Sequence, residues 1–234
     1  MRLCLASTSP ARLALLRSAG IEPLTASPGV DEAAAAAEAG PLSPHDTVLL
    51  LARLKAEDVA ARIHVEHPRF HGLIVGGDSM FEIDGQVYGK PHTPEAATAR
   101  WKAMRGRTGT LHSGHWMIRV GCDGAGDGEA GRTGADGPGD TPGDASSNIA
   151  AGQVAASTVS FIADITDDEI ERYVATGEPL FVAGAFTIDS LGGPFISRIE
   201  GDPSTVVGMS LPTLRRLARE LGVEWTALWN RQGL

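Results

Sequence analysis

Apolar positions along the chain fall into short runs, and serine–proline, threonine–proline and glycine punctuate them at intervals that alternate strand and helix. Leu3-Cys4-Leu5-Ala6 reads as a buried first strand. Ser9 followed by Pro10 is an N-cap with proline in the first helical turn, and that helix ends near Gly20. A second strand-like piece reaches Val30, after which Asp31-Glu32 and an alanine-rich connection lead to Ser43-Pro44. This second cap-and-proline start opens a helix to about His64. Leu73 to Gly77, a short apolar run bounded by glycine, predicts a central strand. Met80-Phe81-Glu82-Ile83 and Gln86-Val87-Tyr88 flank Asp84-Gly85, which is a hairpin signature.

Thr93-Pro94 starts a third helix, and Thr110 to Val120 reads as a strand. Strand-like sequence returns from Val154 to Ile165, where Val159, Phe161, Ala163 and Ile165 alternate with mostly polar or small residues. Thr166-Asp167-Asp168-Glu169 has capping-box spacing, and its helix stops near Gly177. Phe195 to Ile199 is a final strand, and Leu214, Leu217, Ala218 and Leu221 give a last amphipathic helix before Gly222. Strands alternating with helices, plus one hairpin, predict a mixed α/β sheet without internal repeats.

Composition adds one interruption. From Gly121 to Ser147 the chain is glycine, proline, aspartate and small polar residues, with Asp123, Asp127, Glu129, Asp136, Asp140 and Asp144 against Arg132 alone. That stretch is expected to be a mobile excursion within one domain of 234 residues. The formal net charge of −9 argues against broad electrostatic binding to nucleic acid or anionic lipid. Cys4 and Cys122 lie far apart without metal-binding spacing, and no apolar run is long enough to span a bilayer, so a reducing cytoplasm is the expected location.

Several residues carry candidate chemistry. Ser7-Thr8-Ser9-Pro10-Ala11-Arg12 joins a strand end to a helix start, where backbone N–H groups, hydroxyls and a guanidinium can hold an anion; its spacing alone favours a plain helix cap. Asp78 follows an apolar strand and two glycines, the place where open α/β sheets bind ligands, and could ligate a divalent cation or accept a proton from water. A turn-forming aspartate has the same address. Lys55 interrupts the apolar helix face of Val48, Leu51, Ala52 and Val59, either snorkelling along the core edge or aimed into a cleft. Lys90, between Gly89 and Pro91, has a restricted backbone that fixes its direction. Asp31-Glu32 offers paired carboxylates or a solvated acidic pair.

The scattered histidines match no zinc-hydrolase pattern, and no GxSxG, GxxxxGK[ST] or strand-linked GxGxxG is present. His64, His67 and His71 are expected at the surface, and the dispersed tryptophans Trp101, Trp116, Trp225 and Trp229 as packing residues. A haloacid-dehalogenase phosphatase would need an Asp-x-Asp motif after the first strand, and none is there.

Taken in order, Leu5 to Arg12, Val30-Asp31-Glu32, Leu51 to Ala56, Gly76-Gly77-Asp78-Ser79 and Gly89-Lys90-Pro91 resemble the Maf family of nucleotide pyrophosphatases. Gly177-Glu178-Pro179, Ala183 to Phe186, Glu200 to Pro203 and Val207 to Pro212 extend the resemblance over nearly all the chain except residues 121–147, in wording similar to an actinobacterial branch. The resemblance implies two lobes around a deep cleft, as in inosine-triphosphatase-like folds, and hydrolysis of a nucleoside triphosphate between its α and β phosphates with Mg²⁺ or Mn²⁺. It also implies a homodimer, and it leaves a cell-division (septum) regulator without turnover as the alternative.

Carried over by position, Asp78 is the proton acceptor, Glu32 and Asp78 are metal-binding carboxylates, and Ser7, Ser9, Arg12, Lys55 and Lys90 are the phosphate contacts. Ala11, Ser79 and Asp189 fall at base- or specificity-side positions, where the thymidine/uridine triphosphate branch usually has arginine, threonine and glutamine. The branch acting on methylated guanosine triphosphate differs there as well, so the base stays unassigned.

Overall fold

The computed structural model describes residues 1–121 and 149–231, and period-two alternation in its first strand sets the layering. In β1 (Arg2–Ala6), Leu3 and Leu5 face one side and Cys4 and Ala6 the other, with both sides buried. Its parallel neighbours are β2 (Leu24–Ala26) and β3 (Gly72–Ile83). Leu3, Leu5, Leu73 and Val75 pack with Leu16 of α1 (Pro10–Ser18) and with Leu214 and Leu217 of α7 (Leu211–Glu220). Cys4, Ala6 and Ile74 face Ala56, Val59 and Ile63 of α3 (Pro44–Glu66) instead. Each large aliphatic side chain removed from water in these layers contributes about 1.5–3 kcal/mol.

β5 (Thr108–Val120), β6 (Ile149–Phe161) and β7 (Ile196–Glu200) join antiparallel beyond β3, making the sheet mixed. The described sheet has seven strands in the order β2-β1-β3-β5-β6-β7, with β4 (Gln86–Tyr88) paired to β3 off that path. β3 is the spine. Its first half lies in the two clusters just described, whereas Phe81 and Ile83 enter a third built from Trp101 of α4 (Pro94–Met104), Phe161, Phe186, and Ile170 and Tyr173 of α5 (Asp167–Ala175). Rings in that cluster meet edge to face, and the Trp101 indole donates to the Ala185 carbonyl at 2.7 Å. The two halves of β3 thus serve different core clusters, with Gly76 to Met80 between them.

Glycine brings α3 onto the sheet there. A Cβ on Gly76 would run into the Ala52 carbonyl, and one on Gly114 of β5 into the Val48 carbonyl. Backbone therefore lies directly on backbone, which delivers Lys55 to the level of Asp78.

Ser9, Ser43 and Thr93 cap their helices as expected, and Thr166 with Glu169 completes the capping box. Other expectations change. The alanine-rich connection is a helix, α2 (Glu32–Ala39), whose N-cap Asp31 accepts from Ala34 N–H at 3.0 Å. Alanine has the highest helix propensity, so a uniform run can be helical without amphipathic periodicity. The second strand ends at Ala26 rather than Val30. β3 continues unbroken from Gly72 into the hairpin, merging two expected pieces. β6 spans Ile149–Phe161 rather than Val154 to Ile165, because its small-residue start is held by pairing with β5, with Gly152 leaving room for the Trp116 ring. The final strand starts at Ile196, and α6 (Pro203–Val207) precedes α7. His64, His67 and His71 are not in the core, but Trp229 is 57% exposed and is not a packing residue. Apart from Gly121, the stretch 121–147 lies outside the described residues.

Candidate active site

Strand register creates the opening. β1 pairs with β3 only as far as Ala6 opposite Gly76, and β4 takes the same edge from Phe81 opposite Tyr88. β5 meanwhile covers the other edge from Gly72 to Glu82. Among the described strands none pairs with the edge of β3 from Gly77 to Met80, because the chain leaving β1 at Ser7 turns into α1. A cavity of about 480 Å³ opens at this gap. Ser7, Glu32, Lys55 and Asp78 line it together with Phe181, Phe186, Ile188 and Val206.

Asp78 and Lys55 are both buried, at 8% and 6% exposure. Lys55 Nζ donates to Asp78 Oδ1 at 2.7 Å and lies 2.8 Å from Glu32 Oε1, so one ammonium joins two carboxylates. Burial pushes the Asp78 carboxyl above its ordinary pKa, against the opposing pull of Lys55 and Arg12. Glu32 comes from the first turn of α2, and its side chain is half-exposed. Two carboxylates converging on one point, combined with substrate phosphate oxygens, fit the way Mg²⁺ is held. Among the described residues no group of three or more His, Cys, Asp or Glu side chains could hold a metal without such help.

Arg12 is turned inward. Its Nε donates to the Gly208 carbonyl at 2.9 Å, Nη1 to the Gly77 carbonyl at 2.8 Å and to Ser7 Oγ at 3.3 Å, and Nη2 to Ser79 Oγ at 3.0 Å. Among the described residues these bonds leave one Nη2 hydrogen for a ligand. The guanidinium therefore ties α1, β3 and the loop before α7 together at the cavity floor. Ser79 Oγ also lies 2.9 Å from Ser113 Oγ, which places it in this network. Ser9 Oγ caps α1 through Arg12 N–H at 3.4 Å, and Ser9 N–H donates to Ser7 Oγ. Lys90 and Asp189 are exposed and line the cavity, as does Ala11.

The family model described as Maf-like protein matches residues 2–221. The chain belongs to the Maf-like family. Among Maf-like relatives, a protein of Leifsonia xyli subsp. xyli named nucleoside triphosphate pyrophosphatase is 59% identical, over 100% of this chain and 99% of its own length. Proteins with the same name from Salinispora tropica and Streptomyces coelicolor are 48% and 47% identical, covering 99% and 97% of this chain and 88% and 94% of their own lengths.

Sequence reasoning missed a further buried group of this Maf-like chain. His115 lies between Gln153 and Ser210: its Nδ1 is 3.1 Å from the Gln153 carbonyl, and its Nε2 accepts the Ser210 N–H at 2.8 Å. Ser210 in turn caps α7. This pairing needs a neutral ring, and burial lowers the His115 pKa from 6.5 to about 4. A histidine directly before the apolar run Trp116-Met117-Ile118 of β5 was the available signal. The unfolded chain binds the extra proton between these values, so stability is complete above the unfolded pKa and is lost as pH falls from 6.5 towards 4. The expected loss is about 3 kcal/mol, read from urea midpoints across that range. His115→Gln, which keeps a donor and an acceptor, is expected to flatten the dependence; an unchanged slope would assign it to other groups.

Proposed function

We propose that this Maf-like chain is a nucleoside triphosphate pyrophosphatase, hydrolysing the α–β phosphate bond to release a nucleoside monophosphate and pyrophosphate. The names of the full-length relatives support the activity. The observation that carries the chemistry is the buried Asp78–Lys55 pair, joined by the half-exposed Glu32, in a cavity also lined by apolar and aromatic side chains. The charged groups suit a triphosphate, and the apolar and aromatic ones a nucleobase.

Asp78 Oδ1 is held by Lys55, leaving Oδ2 to accept a proton from the attacking water. The water oxygen then bonds to the α-phosphorus as the bond to the leaving pyrophosphate oxygen breaks. Lys55, Lys90 and the remaining Nη2 hydrogen of Arg12 supply positive charge to the phosphates in an otherwise acidic protein. Glu32 and Asp78 would hold Mg²⁺ or Mn²⁺, which neutralises phosphate charge when bound. Ser7 and Ser9 contribute hydroxyls at the strand-to-helix turn, and Ala11, Ser79 and Asp189 belong to base selection. A homodimer rests on the family resemblance, and a cytoplasmic location on the two widely separated cysteines, Cys4 and Cys122. No helix among the described residues is long and apolar enough to cross a membrane.

The purified chain is expected to release pyrophosphate from members of a panel of ordinary and modified nucleoside triphosphates with Mg²⁺ or Mn²⁺, and to stop when a chelator is added. Release of orthophosphate alone would overturn the bond assignment. Binding without turnover across the panel would favour the division-regulator alternative.

A further inference from the structure

Glu178 takes no part in the chemistry above, yet its carboxylate gathers more hydrogen bonds than any group in the polar site. Tyr173 OH, Thr187 Oγ1 and Gly192 N–H donate to Oε1 at 3.0, 2.5 and 3.2 Å. Ser190 Oγ and Leu191 N–H donate to Oε2 at 2.6 and 3.4 Å. Gly192 N–H also reaches Thr187 Oγ1, and a Cβ on Gly192 would strike Tyr173 OH and the Thr187 carbonyl. Burial opposes the Glu178 charge, but the bonds from Ser190, Thr187 and Tyr173 outweigh it and hold the carboxyl below its ordinary pKa.

The position of this hub matters more than its strength. The loop from Thr187 to Gly192 supplies Thr187, Ile188 and Asp189 to the cavity. Glu178 itself begins the one-turn 3₁₀ helix Glu178–Phe181, which ends at the cavity-lining Phe181. One carboxylate therefore joins two segments that line the cavity. Phe181 is 65% exposed, in edge contact with His92, and His92 N–H donates to the Leu180 carbonyl at 2.9 Å. A solvent-facing ring at the mouth of a polar cavity is suited to stacking on a base.

We propose that Glu178 is a positioning residue that fixes the nucleobase-facing lining of the cavity and thereby sets which nucleoside triphosphate is accepted. This rests on the pyrophosphatase reading. Glutamine is the informative replacement. Its amide nitrogen cannot accept, so either the Oε1 or the Oε2 donors face another donor, and a backbone N–H cannot rotate away.

The test is steady-state kinetics of the wild-type chain and Glu178→Gln over triphosphates differing only in the base, with a thermal melt for each. KM for the preferred nucleotide is expected to rise about tenfold while kcat changes less than about threefold, and preference among bases to flatten. Ser190→Ala, which removes one donor from the exposed loop, is expected to move the same parameters less and serves if Glu178→Gln does not fold. Unchanged base preference, or an equal fall in kcat for every base with KM constant, overturns the proposal. Wild-type binding without turnover would sink the pyrophosphatase reading instead; Glu178 is then judged by dissociation constants over the same panel, where flattening supports the role and an unchanged order overturns it.

Discussion

Asp78→Asn is expected to lower kcat for pyrophosphate release by about 10²- to 10⁴-fold, the usual contribution of a positioned general base, while the chain stays folded. Asparagine keeps the size of the side chain and an oxygen to accept the Lys55 hydrogen bond at Asp78 Oδ1, and Glu32 still accompanies the ammonium. What disappears is the basic oxygen. The wild-type pH profile gives a second reading of the same group. Only the ionised carboxylate can accept a proton, and burial raises the Asp78 pKa, so kcat/KM should fall in acid through an apparent pKa above the ordinary value of about 3.9. Residual activity in the variant should lack that limb. A folded Asp78→Asn chain within about threefold of wild type would remove Asp78 from the base role.

The parts of this site legible in the sequence are those that depend on near neighbours. Ser9, Ser43 and Thr93 announce their helices because capping joins residues three apart, and Lys55 stands out because it interrupts an apolar helical face. The alanine run from Ala33 to Ala37 offered no periodicity, and only intrinsic propensity could have identified α2 as a helix carrying Glu32.

The bonds that fix Arg12 were out of reach for a different reason. Its sequence setting suggests a phosphate contact, but the carbonyls that hold it belong to Gly77 and Gly208, which lie 65 and 196 residues away. The opening itself is a property of register, set by where β1 and β4 stop on one edge of β3. No local pattern records that gap. The five donors around Glu178 are likewise assembled by the folding of a loop rather than by a motif.

Lys55→Met separates the electrostatic role of the site from its catalytic one. The replacement preserves an unbranched apolar stem on α3 and removes the charge between Asp78 and Glu32. Breaking a buried pair by removing one partner costs about 3–5 kcal/mol, because the remaining charge is left in a poor solvent. Activity is expected to fall by about 10²- to 10³-fold, as when one preorganised donor to developing charge is lost. Stability provides the sharper signature. Without Lys55 the Asp78 carboxyl loses a cation that opposes burial, so its already raised pKa moves higher, with Arg12 as the remaining cation and Glu32 adding repulsion. A carboxyl with a folded pKa above its unfolded value is least costly when protonated; its penalty is absent below the unfolded value, grows as pH rises through the window, and is complete above the folded value. The urea-midpoint gap between Lys55→Met and wild type should therefore be widest near neutrality and narrow as pH falls. Adding Asp78→Asn should recover much of the lost stability at neutral pH without restoring turnover, since the unpaired charge is gone but the base is gone with it. A gap independent of pH, with no recovery in the double variant, would mean that Lys55 acts on the fold through packing alone.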